Sequence, residues 1–503
     1  MDASQLLHAD LFELLRQSFH SGRTRELEAW FAGLATGPPE DAARELVQRL
    51  ATRDTGDASP EMRFRLLAAC DDAAEKILPA LEDATEAASL PLTPEALHTA
   101  RAADSLLKAL AAAYVELMAT VAGNPEAAGA GELLPAAALR ATQMLARRQL
   151  FDYRAHAAPS PASWQQLHET YRRALDHGLI PTRNNGGGAI SAITSEYVTA
   201  LLFALAEPGH LPREQLLQIH ALSATLAALA KLLPVDVTES DPACRFLVAG
   251  DPARPAQALA RLPEGKPLPP RALVLDCSAI IIELDRLIAT GAEATLPIET
   301  LQQLRDAWSA AATSPRRFAR TQFKPRVDMI AGLPAILHLI AGKSPGRRQN
   351  DGGGDETSTS EWLVINESPD GFGIRHLGGT APMLTIGDLV LLRPRERGKI
   401  HVCLVRRGNH ARAGHADIGV QLLSSSAAVI PLPSEDIVAI AQQGLLLPRL
   451  PAFGNAAGII TAAGALTPQS VITENQAGTL KYYRLGARIA TSTAIEFHLL
   501  QSA

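Results

Sequence analysis

Residues Trp362 to Ile374 read W-L-V-I-N-E-S-P-D-G-F-G-I. Trp362, Leu363, Val364 and Ile365 form a short apolar run rich in strand-favouring side chains. The run breaks into Asn366, Ser368 and Gly371 at N-x-S-x-x-G spacing. Asn, Ser and Gly are turn formers, so a second strand is expected over Phe372 to Arg375.

Working outward from this hairpin, the texture stays β on the downstream side. Leu384–Leu392, Lys399–Arg406 and Ala416–Leu422 are short apolar segments separated by Gly, Asn and Pro. Short strands at that spacing predict a small antiparallel barrel. The tail, Gln443–Leu500, continues in the same way, with candidate strands at Gly458–Ala462, Ser470–Thr473, Leu480–Leu485 and Ile489–Leu499. It is read as an extension of the barrel or a second small sheet. Upstream, Gly346–Ser360 (G-R-R-Q-N-D-G-G-G-D-E-T-S-T-S) has almost nothing to bury and is expected to be a flexible insertion. Leu333–Ile340 predicts a short apolar helix and Phe323–Ile330 a strand. Before them stands Arg316-Arg317-Phe318-Ala319-Arg320, an R-x-x-x-R cluster with a third arginine inside it.

The R-x-x-x-R cluster and the N-x-S-x-x-G turn, in this order and set in a β-barrel texture, are similar to the PilZ domain family. These are small β-barrels that bind the bacterial second messenger cyclic di-GMP. The resemblance covers roughly Arg316 to Leu422. It extends to Val405-Arg406-Arg407 late in one strand and Ile418-Gly419-Val420-Gln421 in the last. It implies ligand contacts from Arg316, Arg317, Arg320, Asn366, Ser368 and Gly371. The chemistry agrees. A guanidinium pairs with phosphate or a guanine edge and stacks on a base. An Asn amide donates and accepts toward a base edge, and a Ser hydroxyl reaches a phosphate. A glycine admits backbone close to the ligand. Two features depart from the family pattern: the insertion lengthens the separation from Arg320 to Asn366, and Asp370 stands beside the anion site.

The first half is different. Leu7, Leu11, Leu15 and Phe19 recur at helical spacing, as do Leu106, Leu107, Leu110, Tyr114 and Leu117, and Trp164, Leu167, Tyr171 and Leu175. Alanine dominates this region. Ser163 and Gln166 fit a capping box, and breaks fall at Gly37-Pro38-Pro39, at Asn124-Pro125 and at Pro159–Pro161. Arg147-Arg148 and Arg172-Arg173 read as solvated helix faces, and Asn184-Asn185-Gly186-Gly187-Gly188 as a loose turn. Asp251–Arg271 is proline-rich and reads as an extended connector, followed by a short strand at Ala272–Leu275 and helices at Ile280–Ile288 and Glu299–Trp308.

The expected organisation is therefore multidomain α+β: a helical domain over 1–235, a connector over 236–312, a PilZ-like barrel over 313–430 with its insertion near 343–360, and a β-rich extension over 431–503. A chain of 503 residues at 47% hydrophobic content supports several cores. Its formal charge of -6 and 4% aromatic content argue against nucleic acid as the main partner. Cys70, Cys244, Cys277 and Cys403 form no C-x-x-C pair and read as buried thiols of a reducing compartment. Met1-Asp2-Ala3-Ser4-Gln5 lacks a basic leader, and no membrane span is expected, so the cytoplasm is the expected location. His410, His415 and Asp417 fall in an expected solvated loop, and no catalytic or metal constellation emerges.

The function implied by the resemblance is a bacterial cyclic di-GMP receptor without enzymatic activity or cofactor. Its helical half would serve as an interaction or homodimerisation module for a protein partner. The other reading is an interaction scaffold whose PilZ-like barrel binds no nucleotide.

Overall fold

The computed structural model describes residues 30–502 except 32, 35–36, 52–58, 88–89, 91, 125–129, 181–190, 212, 236–242, 263–267, 270–271, 292–295, 311–324, 343–359, 380–381, 396–398, 413–414, 433–441, 451–452, 468–469, 477–478 and 492–493. The helix expected around Leu7–Phe19, the Asn184–Gly188 turn, the arginine cluster and nearly all of the insertion lie outside the described residues. The chain divides into two compact units, with the main boundary between Ser314 and Pro315.

Among the described residues, the first unit carries the α-helices α1 (Pro39–Ala51), α2 (Pro60–Ala87), α3 (Pro94–Ala122), α4 (Ala130–Arg154), α5 (Pro161–Asp176), α6 (Ala192–Leu205) and α7 (Arg213–Leu226). Four of them begin at a proline, where the missing N–H costs no helical hydrogen bond. The cap of α5 is Ser160 rather than Ser163. Ser160 is extended because it precedes Pro161, and its hydroxyl accepts from the Ser163 N–H. The stripe Leu106, Leu107, Leu110, Tyr114 and Leu117 of α3 is buried as its spacing requires. By length and composition α3 is also apolar enough to cross a membrane, but in this unit it packs against α2 and α4.

The arginines of α4 are not a solvated face. Arg147 donates to Glu82 (2.9 Å) and Glu75 (2.6 Å) of α2, and Arg148 to Asp104 of α3 (2.7 Å). Arg154, almost wholly buried, donates to Glu82 (3.0 Å), Asp83 (3.2 Å) and Glu86. Arg140 lies 3.6 Å from Asp71, which also accepts from the buried Tyr114 hydroxyl. Arg140, Arg147 and Arg154 are spaced seven apart, so they share one face of α4 and meet carboxylates along one face of α2.

The segment read as a connector contributes to a four-stranded antiparallel sheet of order β1-β4-β2-β3: β1 (Lys231–Pro234), β2 (Arg245–Val248), β3 (Ala256–Ala258) and β4 (Leu273–Asp276). The prolines leave short stretches such as Ala256–Ala258 free to pair. Two helices follow, α8 (Ser278–Thr290) and α9 (Ile298–Trp308). The fully buried Trp308 donates its indole N–H to the Leu202 carbonyl of α6 at 2.9 Å.

The second unit holds β5 (Arg326–Ala331), α10 (Leu333–Ile340), β6 (Ser360–Ser368), β7 (Gly371–Gly378), β8 (Leu389–Pro394), β9 (His401–Arg412) and β10 (His415–Ser424). Apart from α10, these elements close into an antiparallel barrel of order β10-β7-β6-β5-β8-β9. Its interior is filled by Val327, Met329, Trp362, Val364, Ile374, Val390, Leu392, Cys403, Val405, Ile418 and Val420. Leu90 belongs to this core too: it exchanges backbone hydrogen bonds with Leu384 (3.0 and 2.9 Å), and its side chain packs on Gly408.

Six further strands form a second sheet: β11 (Ala428–Pro431), β12 (Gln443–Leu450), β13 (Ala456–Ala462), β14 (Val471–Gln476), β15 (Thr479–Thr491) and β16 (Ile495–Ser502), in the order β11-β12-β13-β16-β15-β14. The β-rich tail is thus a second sheet and not added barrel strands. Its Leu445, Leu447, Ile460 and Phe497 pack with Leu389, Leu391, Val402 and Leu404, the outward residues of β8 and β9, and with α10. This explains the unbroken apolar runs of β8 and β9, since both faces of these strands are buried. The outer face of β6, β7 and β10 carries the polar and glycine positions instead.

Candidate ligand site

The β6–β7 hairpin sets the geometry. Trp362 and Val364 point into the barrel by simple alternation. The register then slips between Val364 and Asn366, a bulge that places two residues of β6 opposite one of β7. Beyond it Asn366 pairs with Gly373, Glu367 with Phe372 and Ser368 with Gly371. Phe372 packs against the interior, so Asn366, Ser368, Gly371 and Gly373 share the outer face.

Each motif residue has a definable constraint. Gly371 has φ +154, and a Cβ there would stand 2.0 Å from the Val420 carbonyl oxygen, so no side chain fits. Ser368 donates to the Gly371 carbonyl at 3.3 Å, closing the turn. The Leu422 N–H donates to the Asp370 carbonyl at 2.9 Å, tying the turn to β10 and leaving the Asp370 side chain exposed.

Two cross-strand rows run from these residues around the barrel wall. In the first, Asn366 faces Gly373, Gly373 faces Gly419 of β10, and Gly419 faces Arg407 of β9. A Cβ on Gly419 would lie 3.3 Å from both Cβ and Nε of Arg407, so the arginine lies along the bare backbone. In the second, Ser368 faces Gly371, Gly371 faces Gln421, and Gln421 accepts from Arg406 Nε at 2.8 Å. On one side the rows are bounded by Arg375 and Asp417, joined by two 2.7 Å bonds.

The electrostatics favour an anion. Among the described residues neither Arg406 nor Arg407 has a carboxylate partner. Burial pushes the Arg406 guanidinium below its ordinary range, a cost that a bound anion would offset. Nearby cations are already committed: Arg393 and Arg395 to Asp328, and Arg326 and Arg395 to Glu361. The arrangement sets an amide, two guanidinium groups and a turn hydroxyl along one outer wall, with Asn366 lying over Gly373 and Arg407 along Gly419. That chemistry suits a planar heterocycle carrying a phosphate.

The structure therefore brings Asn366, Ser368 and Gly371 together on the outer side of one hairpin, with Gly371 buried against β10. Arg316, Arg317 and Arg320 lie outside the described residues, in the segment that leads into β5, the neighbour of β6. The reading from sequence did not single out Gly373, although Gly371-Phe372-Gly373 marks two consecutive outward positions without a side chain. His410 and His415 flank the β9–β10 turn as strand residues, their side chains outside the described set. Asp417 is engaged by Arg375, and no metal-ligand cluster occurs among the described residues.

No curated protein and no solved structure matches the chain. Over residues 25–236, its helical half, the chain is similar to the family described as cyclic-di-GMP receptor FimW, N-terminal domain.

Proposed function

We propose that the chain is a cytoplasmic cyclic di-GMP receptor, that its barrel is a PilZ domain, and that the dinucleotide binds on the outer face of β6, β7 and β10. The observation that carries this reading is the row Asn366–Gly373–Gly419–Arg407, next to Ser368 and Gly371, on the outer side of the barrel wall. The family likeness of the helical half supports the same ligand from an independent part of the chain.

In this reading Asn366 meets a guanine edge and Ser368 a phosphate oxygen, while Gly371 lets the turn lie against β10 and Gly373 seats the Asn366 amide. Arg316 or Arg317, together with Arg320, pairs with the ligand's phosphates or stacks on its bases. The protein acts as a receptor and not as an enzyme. The helical half carries the output, through a protein partner or a second copy of the chain.

The test is calorimetric titration of cyclic di-GMP into the full-length protein, with GTP as control. Saturable binding at micromolar affinity or tighter, lost in Arg320→Ala and in Ser368→Ala, is the expected result. No heat and no thermal shift at high ligand concentration overturns it and leaves the scaffold reading. Binding that is unchanged in Arg316→Ala, Arg317→Ala and Arg320→Ala removes the arginine assignment while keeping the receptor.

A further inference from the structure

The first unit contains a cysteine pair that sequence spacing hides. β2 and β4 run antiparallel with Arg245 opposite Asp276, Phe246 opposite Leu275 and Leu247 opposite Val274. Just beyond the end of the ladder, the Cys277 N–H donates to the Cys244 carbonyl at 2.9 Å. A backbone hydrogen bond between strand neighbours goes with Cα atoms about 5.5 Å apart, inside the roughly 4.4–6.8 Å that a disulfide spans.

Both residues are held in place. Cys244 adopts φ +58, a left-handed conformation uncommon for a residue with a Cβ, and its N–H donates to the Ser309 carbonyl at the end of α9. Cys277 is fully buried at the N-cap of α8, while Cys244 is only half-buried. The reading of four buried thiols therefore fails at Cys244, because the chain turns at the surface there before entering β2. Burial is the main cause that raises the Cys277 thiol well above its ordinary range, with Asp276 and Cys244 adding to it, so its proton leaves only as the sulfur–sulfur bond forms. The remaining thiols, Cys70 and Cys403, are buried in other parts of the fold.

We propose that Cys244 and Cys277 form a reversible cross-strand disulfide under peroxide, an oxidative modification site in the helical unit. The accessible Cys244 thiolate attacks a peroxide oxygen, the O–O bond breaks, and a sulfenic acid forms with release of water after protonation. The Cys277 sulfur then displaces hydroxide from the Cys244 sulfur, losing its own proton. The balance is two thiols and one hydrogen peroxide giving one disulfide and two waters. The bond joins the start of β2 to the start of α8 and closes the chain between them into a covalent loop.

The experiment treats reduced full-length protein with hydrogen peroxide, removes the peroxide, unfolds the protein in denaturant with N-ethylmaleimide to block remaining thiols, and digests it without reductant for mass spectrometry. The expected product is a Cys244–Cys277 linked peptide that disappears on addition of dithiothreitol. In Cys277→Ser, Cys244 is expected to persist as a sulfenic acid that dimedone traps in higher yield than in the wild type. The proposal is overturned if both cysteines of the native protein are recovered as maleimide adducts after peroxide. It is equally overturned if Cys244 goes on to sulfinic acid without any link, or if the disulfide joins two chains. The wild-type measurement alone decides the matter if a serine variant does not fold.

Discussion

The side-chain amide of Asn366 lies over Gly373: its Nδ2 and Oδ1 both stand 2.7 Å from where a Cβ on that glycine would be. The amide therefore holds its position only while Gly373 has no side chain. Gly373→Ala pushes Asn366 out of that position without touching the barrel interior, because both residues face outward. The expected outcome is a loss of cyclic di-GMP affinity of about tenfold or more, the scale of one hydrogen bond to a charged or buried partner. Thermal stability should fall by no more than about 1 kcal/mol, as for an ordinary surface change. Titration and melting of the same sample separate the two effects, and equal affinity in the variant would remove Asn366 from the site.

Arg407 makes the complementary prediction at the other end of the row. Its guanidinium lies along Gly419 with no carboxylate partner among the described residues. Arg407→Ala is expected to weaken dinucleotide binding by about 1.5–3 kcal/mol, the range for charge-assisted hydrogen bonds. Affinity in the variant should also depend less steeply on salt, because one cation fewer faces the phosphates. Arg375→Ala is the control: that side chain is already bound to Asp417, and the ligand affinity should hardly move.

How much of this could be read from residues alone follows from the range of the forces involved. The hairpin around Asn366 was legible because alternation and turn chemistry act over a few residues, and α10 matched its apolar run end to end. The barrel followed from the same local signals. Burial on both faces of β8 was present in L-V-L-L but needed the second sheet to explain it. The pairing of Gly373 with Gly419 and the hydrogen bond between Cys277 and Cys244 join segments distant in the chain, which local spacing does not encode. The arginine spacing in α4 was visible, but its partners on α2 were not, so the residues resembled solvated charge.

That α4 face carries a stability prediction. Arg154 is almost wholly buried against Glu82, Asp83 and Glu86. Arg154→Met keeps the aliphatic volume but strands carboxylates in a poorly solvated groove, which costs about 3–5 kcal/mol when one partner of a buried ion pair is removed. Arg173→Met is the contrast, since its ion pair with Glu169 lies within one helix at the surface and contributes roughly 0.3–0.5 kcal/mol. Urea midpoints of the two variants should differ accordingly, and similar values would mean that the buried network relaxes or is reached by water.

The second unit has its own single-residue test. Leu90 is fully buried, joins the barrel core and packs on Gly408, where a Cβ would lie 2.1 Å from its Cδ1. Leu90→Ala leaves a cavity against the barrel residues and is expected to cost about 2–5 kcal/mol. Gly408→Ala attacks the same contact from the other side by overpacking, at about 1–3 kcal/mol. Combining Gly408→Ala with Leu90→Ala should recover part of the loss, because the added methyl enters the space vacated by the leucine. A purely additive double variant would show that the two residues do not share that space.

Acidity should stabilise the helical unit through Asp152. Burial is the main cause that lifts its carboxyl from an ordinary 3.8 to about 7, the neighbouring Asp104 adds to the rise, and Arg148 opposes it. Arg148 is itself bonded to Asp104, which weakens its help to Asp152. The folded state therefore binds the proton more tightly than the unfolded chain does. Its contribution is fully present below the ordinary carboxyl pKa, declines as the pH climbs, and is gone above about 7. The size of the effect is on the order of 4 kcal/mol across that window. Asp152→Asn keeps the neutral shape at every pH, so the variant should match the wild type near pH 4 and exceed it in stability at pH 8. Denaturant midpoints at the two pH values measure this directly, and a variant whose midpoint tracks the wild type across the window would assign the pH dependence to other groups.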